Sequence, residues 1–187
     1  MISSFSSNPK YDFAAYAKGY YNAAKTLTDN FLSKTGYRDY DGYPIVFLYR
    51  HSLEVNLKNI IYWGQRLSNF NDKNTFDNKM YNNHDLKKLS DISTKLLLRI
   101  FKDDSDLTEI CLKIISISDQ YSELDKDSYS YRYPIDKNGN YSTRKHQVAN
   151  IKSISLAMQD VQAAFEAINL GLDLKTSETF DLIEILE

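Results

Sequence analysis

The sequence predicts an all-α fold, an up-and-down antiparallel bundle of four to five long helices. Three observations carry that reading. Apolar residues recur at three- and four-residue steps in five separate stretches. Helix breakers are scarce, with 6 Gly and 3 Pro in 187 residues, and most of them fall between those stretches. Strand-like alternation is confined to one tyrosine-rich segment, at Tyr129, Tyr131 and Tyr133.

The first helix is expected over Pro9–Ser33, where Phe13, Tyr16, Tyr20, Ala24, Leu27 and Phe31 form one stripe. The second is expected over Pro44–Ser68, with Val46, Leu53, Leu57, Ile60 and Leu67 on its core face. Pro9 and Pro44 suit first-turn positions, where a missing N–H costs nothing. Asn69 to Asn83 is polar and Asn/Asp-rich and reads as a loop. The third helix, over Asp85–Lys102, carries Leu86, Leu89, Ile92, Leu96 and Ile100. A fourth follows Asp106, whose spacing to Glu109 suggests a capping box. Its stripe is Leu107, Ile110, Cys111, Ile114, Ile117, Tyr121 and Leu124. The fifth spans about His146–Leu170, through Val148, Ile151, Ile154, Met158, Val161, Phe165 and Ile168, with Gly171 as its C-cap. Residues 172–187 then form a short terminal helix or tail. Neither a repeat nor a composition break marks a second domain, so residues 1–187 read as one domain with its core at about 9–171.

Between the fourth and fifth helices, Ser128–Tyr141 holds four tyrosines around an Asn138-Gly139 turn. The pattern is that of a tyrosine-rich loop or short hairpin, limited by Pro134 to an edge ribbon.

Composition narrows the function. Lys plus Arg is 23 and Asp plus Glu is 25, giving a net charge of −2. A broad phosphate-gripping surface does not fit that balance, whereas a small local basic site does. The single Cys111 excludes an internal disulfide and fits a reducing cytosol. No apolar run reaches the roughly 18 residues of a membrane span, and the start, Met1-Ile2-Ser3-Ser4-Phe5, lacks the features of a secretory signal. A cytoplasmic protein without membrane attachment is expected. No GxGxxG, Walker A or HExxH motif is present, and no Glu is followed three residues later by His. Three scattered histidines and one cysteine do not make a zinc site. Neither metal nor cofactor is expected.

The densest chemistry lies on the second helix, in Phe47-Leu-Tyr-Arg-His-Ser-Leu-Glu-Val-Asn-Leu-Lys58. His51, Glu54 and Lys58 follow steps of three and four and share a stripe between Phe47 and Ile61. Glu54 can accept from both His51 and Lys58. The alternatives are a satisfied inter-helix network and a ligand site. His84, beside the start of the third helix, belongs to an ordinary amphipathic start with a solvated Lys87-Lys88 pair, or else caps that helix or reaches across to the second. His146, between Lys145 and Gln147, reads as an exposed side chain.

Three segments in order carry a family resemblance: Phe47–Lys58, His84-Asp85-Leu-Lys-Lys-Leu89, and Tyr131-Arg132-Tyr133-Pro134. Their order and spacing resemble HEPN domains, over about residues 9–171. The resemblance implies an up-and-down helical bundle, often a homodimer. Many members are ribonucleases of toxin–antitoxin or anti-phage systems, often paired with a nucleotidyltransferase. Those ribonucleases carry an arginine followed by histidine after four to six intervening residues. No arginine of this chain has that spacing, and Arg50 and His51 are adjacent. The Arg132 segment looks more like branches that bind nucleotides or partner proteins.

The expectation is a HEPN-like module, more a binder than an enzyme. Its ligand would be nucleotide-like or otherwise anionic, or a partner protein, in a bacterial defence or toxin–antitoxin setting. Arg50, His51, Glu54, Lys58, His84, Arg132 and Tyr133 are the candidate ligand-binding residues. Arginine suits phosphate and tyrosine suits a base. One alternative is a metal-independent endoribonuclease with His51, Arg50 or His84 as catalytic residues. Another is a structural adaptor.

Overall fold

The computed structural model describes residues 9–34, 36, 38–68, 82–102, 104–125, 130–136, 138–142 and 149–186. The architecture is an all-α bundle of α1 (Pro9–Ser33), α2 (Gly42–Ser68), α3 (Leu86–Ile100), α4 (Leu107–Leu124) and α5 (Ile151–Leu186). A single 3-10 turn, Asp39–Asp41, leads into α2. No described helix is long and apolar enough to cross a membrane. Pro9 stands at the first position of α1, and Pro44 in the first turn of α2. His146 and Tyr129 lie outside the described residues.

The centre of the bundle is α2, which packs against α1, α3 and α5. Contact on three sides explains why Tyr49, Leu53, Leu57 and Ile60 are all fully buried. Cross-contacts fix the helix directions. Phe13 meets Tyr62, Ser52 donates to the Ala17 carbonyl, and Thr28 donates to Tyr49, so α1 and α2 are antiparallel. Tyr49 pairs with Ser155 and Asn59 with Asn169, so α5 runs parallel to α2.

One step departs from strict alternation. Glu54 meets His84, the Leu57 carbonyl accepts from Ser93, and Gly64 faces Leu96, so α3 runs in the same direction as α2. Short helix–helix loops force antiparallel neighbours, and the long polar stretch between these two helices lifts that restriction. As a result the start of α3 lies beside the middle of α2 rather than its end. That placement builds the site described below.

Two local expectations need correction. Gly171 does not end the fifth helix, which continues unbroken to Leu186. The glycine is there for close packing, since a Cβ would sit 3.2 Å from Cζ of Phe101. The Asp106–Glu109 capping box does not form either, because the Asp106 side chain makes no cap bond. Asp104 takes the role, its Oδ1 accepting from the N–H groups of Asp106 and Leu107 at 3.0 and 3.2 Å. At α3 the cap is Asp85, whose Oδ1 accepts from the N–H groups of Lys87 and Lys88. Cys111 is buried on α4, where burial pushes its thiol up.

Candidate functional site

Arg50, Glu54 and Lys58 are four residues apart and stack on one face of α2. Glu54 is buried, and each of its oxygens is used. Oε2 accepts from Arg50 Nη1 at 3.0 Å, and Oε1 accepts from Lys58 Nζ at 2.8 Å and meets His84 Nδ1 at 2.8 Å. Burial alone would push the Glu54 carboxyl up, but the hydrogen bonds and charges of Lys58 and His84 outweigh it and hold the group below its ordinary value.

The Arg50 side chain is wholly enclosed, at 0% exposure, and its donors join three distant segments. Besides Glu54, Nη2 donates to the His84 carbonyl at 2.8 Å and Nε to the Asp125 carbonyl at 3.1 Å. The Asp125 carboxylate lies 3.7 Å from Nε, and its other oxygen accepts from the Ser130 N–H at 3.1 Å. One guanidinium thus fastens the start of α3 and the end of α4 to α2.

A second cluster borders the first. His51 lies between two rings, stacked on Phe47 at 5.6 Å and edge-on to Tyr20 at 4.4 Å. Burial, first, pushes His51 below its ordinary value; Glu54 pulls it upward, and the charges of Lys58, Arg132 and Arg50 add to the downward push. The Arg132 guanidinium lies 5.5 Å from the Phe47 ring centroid and 5.7 Å from that of Tyr133. The tyrosine-rich segment therefore folds back over the start of α2, and Tyr131 reaches the Tyr43 ring. A single β-bridge, Ile135 to Tyr141, gives the segment hairpin character. Gly139 turns it at φ 81°, and Asp136 Oδ1 accepts from the N–H groups of Asn138 and Asn140.

The seven candidate residues therefore divide. His51 and Arg132 lie against Phe47 at an accessible surface, and Tyr133 lies against Arg132. Lys58 and the half-exposed His84 meet on Glu54. Arg50 and Glu54 are enclosed, and the Arg50 guanidinium is committed to three interior acceptors. The expected His51–Glu54 hydrogen bond is replaced by His84–Glu54. Asp125 and Phe47 were missed as partners. For Asp125 the sequence offers only an acidic residue four places after Tyr121; for Phe47, its four-residue spacing to His51. Elsewhere, a cleft of about 150 Å³ between α4 and α5, lined by residues including Ile117, Tyr121, Leu124 and Ser153, contains none of the seven. Among the described residues no group of His, Cys, Asp and Glu is arranged to hold a metal ion.

The chain matches no protein-family model, no curated protein and no solved structure.

Proposed function

We propose that this chain is a HEPN-like helical module that binds a nucleotide-like or other anionic ligand at the surface formed by Phe47, His51, Arg132 and Tyr133. The observation that carries the reading is the placement of the Arg132 guanidinium over Phe47, one ring away from His51. Planar guanidinium matches phosphate oxygens, and the neighbouring rings offer a stacking face for a base. Arg50 and Glu54 act from beneath, by holding the segments that present these groups. A homodimer, a nucleotidyltransferase-type partner and a defence or toxin–antitoxin setting belong to the same proposal. Calorimetry with the four ribonucleoside mono- and triphosphates tests it. Saturable binding is expected, weakened about tenfold or more by Arg132→Ala, the loss of one charge-assisted contact of about 1.5 kcal/mol. No saturable binding, or equal affinity in the variant, overturns it.

A second reading, a metal-independent endoribonuclease, is favoured by one feature. His84 Nδ1 is 2.8 Å from the buried Glu54 carboxylate while half of its side chain is exposed, the arrangement of a carboxylate-oriented general base. Such a base would take the proton of a ribose 2′-hydroxyl. The 2′-oxygen would then attack phosphorus and expel the 5′-oxygen, leaving a 2′,3′-cyclic phosphate. Cleavage of single-stranded RNA to cyclic-phosphate ends, lost in His84→Ala, is the expected result. Intact RNA after prolonged incubation removes this reading and leaves the binding proposal standing.

A further inference from the structure

The outer face of α5 carries an apolar stripe that the bundle does not use. The helix packs against α1, α2 and α4, and its inner face buries Met158, Val161, Phe165, Ile168 and Leu172. On the opposite side Leu156, Leu170 and Leu174 are 56%, 63% and 59% exposed, and Ala163 and Ala167 are exposed with them. With Asp160 these residues follow steps of four, three, four, three and four from 156 to 174. At 3.6 residues per turn, such steps keep all six within about 40° of one line along the helix, the seam pattern of paired helices. An outward face that meets only water carries charged and polar residues instead.

We propose that two copies of this chain pair through this face, their α5 helices antiparallel about a two-fold axis level with Phe165. The stripe is self-complementary in that arrangement. Leu156 and Leu174 stand nine positions to either side of residue 165, and Ala163 and Ala167 two to either side. Leu156 therefore meets Leu174 of the second copy. Ala163 meets Ala167 of the second copy at the centre, where small side chains let the helix axes approach to about 8 Å. The same register sets Lys152, thirteen positions before the axis, in one layer with Glu178 of the second copy, thirteen after it. Glu178 also accepts from Lys175 of its own helix at 2.9 Å, an exposed bond that a second cation can share. Asp160 meets Leu170 of the second copy at the rim of the seam. Glu166, at the rim nearest the axis, is countered by Lys18 of α1 at 3.4 Å. In a parallel pair Asp160 would face Asp160, Lys152 would face Lys152 and Glu178 would face Glu178, and like charges in register are costly. A second copy is the favoured occupant because the match of leucine, alanine and charge is internal to one sequence. The proposal gives a face and a register to the homodimer of the functional reading, and it rests on that part of the reading alone.

Sedimentation equilibrium of the full chain tests association. A species of twice 21.7 kDa is expected. Leu170→Glu places a charge in the seam of both copies and should raise the dissociation constant by at least about tenfold. Leu170 is exposed, so this variant should keep the helical circular dichroism of the parent. Cysteine mixing tests the register. Leu156→Cys and Leu174→Cys, oxidised together, should form a mixed disulfide dimer faster than either variant cross-links to itself, because only the mixture brings two thiols into one layer. A monomer at about 0.1 mM, a dimer indifferent to Leu170→Glu, or the lack of any preference for the mixed disulfide overturns the proposal. No nucleotide enters either measurement. A monomer that binds nucleotide fails this proposal alone, and a dimer that binds none fails the ligand-binding reading alone.

Discussion

Replacing Arg50 with methionine tests the network most directly. Methionine keeps much of the volume and the helix propensity but removes every donor. Three hydrogen bonds disappear, to Glu54, to the His84 carbonyl and to the Asp125 carbonyl, and the pairing with two buried carboxylates goes with them. Three such bonds at about 1 kcal/mol each, together with a stripped buried ion pair, agree on a loss of about 3–5 kcal/mol. For a chain of this size that corresponds to a fall in Tm of roughly 6–20 °C. Urea unfolding followed by circular dichroism measures it directly, with Arg50→Lys as the companion that keeps the charge but not the three-way reach. A loss below about 1 kcal/mol would refute the argument, because only a solvent-screened pair is that weak.

Three other predictions use different perturbations, the first at Arg50's own partner. The Glu54 carboxyl is held below its ordinary value, so its contribution to stability is full above the ordinary carboxylate range and is lost as the pH falls from there through the lowered value. Glu54→Gln should lower stability at neutral pH and flatten the acid limb of the curve, which urea midpoints between neutral and acidic pH will show. The His51 imidazole is pushed down by burial, so NMR titration should place its midpoint below 6.5, its ordinary value. The stability it supplies is present above that value and falls away as the pH drops below it, and a midpoint above it contradicts the burial argument. The glycines offer a matched pair. A Cβ at Gly19 meets nothing within 4 Å, so Gly19→Ala should stabilise by about 0.5–1 kcal/mol through helix propensity. At Gly64 it would lie 3.0 Å from the Leu96 Cβ, so Gly64→Ala should cost about 1–3 kcal/mol, both read from Tm.

Much of the architecture was legible because helices announce themselves locally. The apolar stripes of α1 to α4 and the breakers around them are short-range signals; the Asn/Asp-rich stretch expected as a loop lies, over 69–81, outside the described residues. Gly171 misled because the sequence shows a glycine's freedom but not the Phe101 ring that requires it. At the site, His51, Glu54 and Lys58 follow steps of three and four, while Arg50, Glu54 and Lys58 follow two steps of four, so the two rows differ only in their first member. Periodicity alone does not choose between them. The choice was made by the start of α3 and the end of α4, both far along the chain, which drew the Arg50 row inward and turned His51 toward α1. The partnership of Asp125 depends wholly on that tertiary placement, so no local pattern reported it.

The partners of Arg50 stand 34 and 75 positions further along the chain. Contacts of such separation close large loops and form late, after local helix pairs have met. Once enclosed, the guanidinium resists opening. Disturbing it should steepen escape from the native state and leave the refolding limb of a chevron almost unmoved.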